Sequence, residues 1–110
     1  MEIDIQPVDG ISVATIVGDI DGSNAAAAQS RILALAQSSG KFVLDMSKVG
    51  YMSSAGLRML LASYRAIAGK GGSVVLAGLS EELTDTMALT GFLNFFKTSA
   101  SVAEGVGQLK

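Results

Sequence analysis

Two adjacent serines, Ser53 and Ser54, offer the most suggestive chemistry in this sequence, in the stretch Phe42 to Tyr64, FVLDMSKVGYMSSAGLRMLLASY. The stretch runs from an apolar strand through a polar corner into an amphipathic helix, with the serines at the corner. A hydroxyl there can cap the helix, attack an acyl group, or accept a phosphoryl group. Capping alone contributes about 1 kcal/mol and explains one serine. It leaves unexplained the second serine and the small pair Ala55 and Gly56, which leave the helix start open to a close-approaching surface. The acyl-transfer reading resembles half of a G-x-S-x-G elbow, but Met52 stands where the first glycine belongs and the chain contains no histidine to activate the serine. A phosphoryl group on Ser54 would meet unpaired N–H groups and the positive end of the helix dipole, so the fold would tolerate it. About −1.5 to −2 charges would then appear near Asp19, Asp21 and Asp45, enough to break an interface that requires a neutral hydroxyl.

The chain must place this corner at the end of a strand, and the order of its elements does so. Residues 2 to 8 and 11 to 18 alternate weakly around Asp9-Gly10, a pair suited to the positive φ values of a hairpin turn, and Pro7 marks the first strand as an edge. Gly18-Asp19-Ile20-Asp21-Gly22-Ser23-Asn24 is a turn rich in cap formers before a helix from Ala25 to Ser38, with Ala25, Ala28, Ile32, Leu35 and Ala36 on its inner face and Gly40 as its stop. Asp19 and Asp21 favour the start of that helix electrostatically. Lys41 to Asp45 reads as a strand buried on both faces. From Ser54 to Ala68, Leu57, Leu60, Leu61, Tyr64, Ile67 and Ala68 recur at helical spacing, and Gly69-Lys70-Gly71-Gly72 ends the run.

Ser73 to Ala77 is a further strand, and Ser80 caps a third helix whose inner face carries Leu83 and Met87, with Gly91 after it. Residues 92 to 97, FLNFFK, form an edge strand or a turn leading to one, and Ser99 caps a final helix through Val106. The pattern predicts a single α/β domain over residues 1–110: a mixed sheet of four to five strands with about four helices packed on it. In such sheets function gathers at the carboxyl ends of strands, here the ends bearing Asp19, Asp21, Asp45 and the serine corner.

Composition narrows the function. A net charge of −2, a pI near 4.9 and scattered basic residues give no electrostatic footprint for nucleic acid. The absence of histidine and cysteine removes the commonest general base, the thiol nucleophile and the usual zinc ligands, so neither a hydrolytic enzyme nor a metal or other cofactor is expected. The first residues, MEIDIQPVDG, lack the basic and apolar regions of a signal peptide, and no window approaches ~18 apolar residues, so a cytoplasmic protein without direct membrane contact is the default. Gly69-Lys70-Gly71-Gly72 lacks the Walker spacing, which argues against a nucleotide site.

The run Asp45 to Leu57, DMSKVGYMSSAGL, resembles the signature of STAS domains, specifically the small bacterial anti-sigma-factor antagonists. Gly18-Asp19-Ile20-Asp21 is similar to that family's G-[ED]-[LI]-D turn, Gly71 to Leu76 to its penultimate strand, and Thr90-Gly91-Phe92 to its [ST]-G-[LF] segment. The resemblance implies a non-enzymatic partner switch in transcription regulation. The unmodified protein would bind an anti-sigma factor that is also a serine-protein kinase; phosphorylation would abolish binding, and a metal-dependent phosphatase of the PP2C type would restore it. Ser54 falls on the family's phosphorylated serine and Asp21 on an acid that faces the kinase. Ser53 stands where the family commonly has Asp, and Ala55 where it has Ser or Thr, so Ser53 is a second candidate for modification. Ser53, Ala55, Gly56, Arg58 and Met59 complete the expected partner surface, with Met59 as an apolar contact. A monomer or weak dimer is expected. The alternative is a constitutive STAS subunit of a transporter or secretion-control complex, in which Ser54 is only a cap.

Overall fold

The computed structural model describes residues 1–37 and 40–110. The chain begins with β1 (Glu2–Val8) and β2 (Ile11–Val17), antiparallel and in register from Glu2 opposite Val17 to Val8 opposite Ile11. Asp9 and Gly10 both adopt positive φ, 53° and 80°, which gives the two-residue connection the backbone twist that hairpins favour. Next come α1 (Ala25–Ala36), β3 (Lys41–Lys48), α2 (Ser54–Gly69), β4 (Ser73–Ala77), α3 (Glu81–Leu89), a short 3-10 turn (Phe92–Phe95), β5 (Lys97–Ser99) and α4 (Val102–Leu109).

Among the described residues the sheet order is β1-β2-β3-β4-β5, with every pair after the first parallel. The mixed α/β sheet with helices packed on it is thus the expected architecture, and Pro7 lies on an edge strand, where its missing N–H costs no ladder bond. Strand alternation divides the core. Phe42, Leu44 and Met46 of β3 join Ile32 of α1, Leu57 and Leu60 of α2, and Met87 of α3 on one face. On the other, Val43 and Val75 pack against Val106 and Leu109 of α4.

Several boundaries differ from expectation. Helix α1 ends at Ala36 with Gln37 as its C-cap; the predicted extension reaches Ser38, which lies outside the described residues, as does the packing of Ala36. Strand β3 continues past Asp45 because a register shift lets Lys48 pair with Val17. The buried stripe of α2 is Gly56, Leu57, Met59, Leu60, Ser63 and Ile67, leaving Leu61 half-buried and Ala68 exposed, so the helix is rotated relative to the expected face. Residues 92 to 97 form the 3-10 turn and the start of β5. The last helix is capped by Ser101, two residues later than expected: Ser101 Oγ accepts the Glu104 N–H at 3.2 Å while Glu104 Oε2 accepts the Ala100 N–H at 3.2 Å, a variant of the capping box.

Candidate functional site

Two loops meet beyond the carboxyl ends of β2 and β3. Ile20, fully buried, forms an isolated parallel bridge with Met52. Its N–H donates to the Tyr51 carbonyl at 3.0 Å and its carbonyl accepts the Ser53 N–H at 2.9 Å. The acidic turn before α1 and the serine corner before α2 are therefore fastened together by backbone bonds, which set their relative position more firmly than side chains would. Gly56 completes the junction. A Cβ at that position would come within 3.0 Å of the Ile20 carbonyl oxygen and 3.1 Å of Ile20 Cγ2, so a side chain there would require Ile20 to shift by a few tenths of an ångström for α2 to seat this closely.

The two serines divide the work. Ser53, extended at φ −74° and ψ 174°, is the N-cap: its Oγ accepts the Gly56 N–H at 3.3 Å, and its carbonyl accepts the Leu57 N–H at 3.0 Å. Ser54 is the first helical residue and exposed, and its hydroxyl has no hydrogen-bond partner among the described residues. The N–H groups of Ser54 and Ala55 are likewise not engaged there, as expected of a helix's first turn. A phosphoryl group on Ser54 Oγ would find those donors and the positive end of the α2 dipole beside it.

The acids are placed unequally. Asp21 stands directly after the bridging Ile20, and its Oδ1 accepts both the Ser23 hydroxyl and the Ser23 N–H, the latter at 2.9 Å. The Ser23 hydroxyl is the main cause that holds the Asp21 carboxyl below its ordinary value, with the Ser23 N–H second. Asp19 contributes its carbonyl to Asn24 Nδ2 at 3.0 Å, and its Oδ1 lies 3.5 Å from where a Cβ on Gly50 would stand, next to the corner. Asp45 does not join them. It shares strand parity with Val43, so its carboxylate faces the α4 side of the sheet, where it accepts from Ser47 Oγ at 2.7 Å and Thr15 Oγ1 at 3.5 Å. The expectation that Asp45 converges on the serine corner is corrected by this alternation.

Of the remaining predicted partner residues, Arg58 is exposed and Ala55 half-buried against the core. Met59 and Gly56 are not surface contacts. Met59 is 3% exposed within the main core, and Gly56 is buried against Ile20 of its own chain. The close-approaching surface that Gly56 admits is thus internal. A shallow cleft between the corner and α3, lined by Tyr51, Ser54, Glu82, Thr86 and Thr90, was not foreseen. Its signal was the four-residue spacing of Glu82, Thr86 and Thr90, which aligns them along one side of α3 and its C-cap, next to Leu83, which lines the cleft with them. Tyr51 is 56% exposed at the rim of this cleft.

Among the described residues no group of three or more acidic side chains is placed to hold a metal ion, and no helix is long and apolar enough to cross a membrane.

Residues 2–105 match the family model described as the STAS domain. The chain is 28% identical over 102 residues to BtrV of Bordetella bronchiseptica, a protein named as an anti-sigma factor antagonist, covering 92% of this chain and 88% of that one. It is 26% identical over 106 residues to the anti-sigma-B factor antagonist of Bacillus subtilis, covering 96% and 97% of the two chains. The crystal structure of an anti-sigma factor antagonist from Mycobacterium paratuberculosis superimposes with a TM-score of 0.81 at 28% identity, covering 97% of this chain and 92% of that one.

Proposed function

From the premise that this chain belongs to the STAS domain family, we propose that it is an anti-sigma factor antagonist working in the cytoplasm as a monomer or weak dimer. Its unmodified form binds an anti-sigma factor that is also a serine kinase, and Ser54 is the phosphoacceptor. The names carried by the Bordetella and Bacillus relatives support the role. The observation that carries the choice of residue is the division between the serines: Ser53 is engaged as the cap, whereas Ser54 offers an exposed, unengaged hydroxyl.

In the transfer, Ser54 Oγ forms a bond to the γ-phosphorus of ATP as the bond to the ADP oxygen breaks, and the hydroxyl proton passes to a base. This chain has no histidine, and the carboxylate of Asp21 is held by Ser23, so the base belongs to the kinase. The product places a near-dianion in the cleft that Ser54 lines with Tyr51 and Glu82, next to the acidic turn that Ile20 ties to the corner. A carboxylate-lined face that must also desolvate a phosphate no longer suits the same partner, and the complex is lost. A PP2C-type phosphatase returns the hydroxyl by hydrolysis.

The test is the affinity of three forms for the host's serine-kinase anti-sigma factor. Unmodified protein and Ser54→Ala bind alike, and Ser54→Ala takes no phosphate from the kinase and ATP. Ser54→Asp binds on the order of 100-fold more weakly. Equal binding by Ser54→Asp would transfer the weight to a constitutive subunit whose Ser54 is structural.

A further inference from the structure

Arg58 is the arginine of this chain with no assigned task. Arg31 donates to the Ile3 carbonyl at 3.2 Å, and Arg65 lies over the Phe95 ring at 5.7 Å from its centre. Arg58 is exposed, and among the described residues it has no ion pair, hydrogen bond or ring contact. It sits four residues after Ser54 on α2, so the two side chains occupy neighbouring positions on one helix face, roughly 5–6 Å apart at Cβ. Long side chains on a helix lean back over the preceding turn, which carries the Arg58 guanidinium toward the helix start and Ser54. An anion N-terminal to a cation at this spacing is also the favourable order with respect to the helix dipole.

We propose that Arg58 is the built-in acceptor of a phosphate on Ser54, closing a phosphoserine–arginine pair across the first turn of α2. A guanidinium can meet two phosphate oxygens at once, and the N–H groups of Ser54 and Ala55 stand ready on the other side. Phosphorylation then changes the partner face twice: it adds an anion at position 54 and withdraws the free cation at position 58. The inference rests on the reading of Ser54 as the phosphoacceptor, and it adds an intramolecular latch to that switch.

The experiment installs phosphoserine at position 54 during translation and follows its second ionisation by phosphorus NMR in the full chain, in Arg58→Gln and in Arg58→Lys. Glu82 and Tyr51, which line the cleft with Ser54, and Asp21 on the neighbouring turn are the same in all three proteins, so differences report position 58. The pairing requires that the titration midpoint rise by about 0.3 to 1 pH unit in Arg58→Gln, less in Arg58→Lys, and that the difference shrink in high salt. Coincident midpoints in all three proteins, with the fold retained by circular dichroism, overturn it. The same phosphoproteins are titrated with the host's serine-kinase anti-sigma factor. Loss of binding with coincident midpoints removes only the Arg58 latch, whereas undiminished binding by the phosphorylated chain removes the Ser54 switch itself.

Discussion

The carbonyl of Ile20 accepts the N–H of Ser53 at 2.9 Å, and this bond ties the acidic turn of one crossover to the serine corner of the next. With the Ile20 N–H bound to Tyr51, it makes the two loops one surface, so that Asp21 and Ser54 are presented together although they are far apart in sequence.

Gly56 is the packing requirement of that junction. Gly56→Ala gains helix propensity of up to about 1 kcal/mol but forces its methyl onto the Ile20 carbonyl, at a cost of roughly 1–3 kcal/mol. Urea denaturation should show net destabilisation for Gly56→Ala and a larger loss for Gly56→Val. A stabilised Gly56→Ala would mean that α2 does not seat against Ile20 as described.

The serines should separate in stability. Ser53→Ala removes the cap on Gly56 and should cost about 1 kcal/mol, whereas Ser54→Ala should stay within about 0.5 kcal/mol of the parent. Chemical denaturation of both variants at neutral pH measures this, and the reverse ranking would reassign the cap.

Met59 should behave as a core residue. Met59→Ala should lose about 2–5 kcal/mol of folding stability, with partner binding by the folded fraction unchanged. A stable Met59→Ala protein with selectively weakened binding would restore it to the interface.

The Asp21 carboxyl is held below its unfolded value of 3.8, chiefly by the Ser23 hydroxyl. A depressed acid contributes stability that is present above 3.8 and fades as the pH falls through its lower folded value. Ser23→Ala should therefore move the Asp21 midpoint, followed by NMR, upward toward 3.8. An unmoved midpoint would show that another group holds the carboxylate.

Much of this architecture was legible because local chemistry leaves few choices. Asp9-Gly10 specifies the hairpin, Pro7 the edge, and Ser80 the third helix, whose Oγ does accept the Leu83 N–H at 3.1 Å. The misread positions are those decided by packing between elements. Nearly every residue from Leu57 to Ala68 is apolar or small, so periodicity does not fix the rotation of α2, and nothing local turns Met59 inward. Parity along β3 groups Asp45 with Val43, yet which sheet face α2 covers depends on crossovers that no local pattern records. The capping box Ser101-Val102-Ala103-Glu104 was visible in principle; Gly105 and Gly107 obscured the helix it opens.

The most direct measurement of the central claim is peptide mass spectrometry of the protein purified from its native host, in a parent strain and in one lacking the serine-kinase anti-sigma factor. The switch predicts a single phosphate on Ser54 in the parent, absent from Ser53 and lost in the deletion strain. Phosphate confined to Ser53, or none at Ser54 under any growth condition, would contradict it.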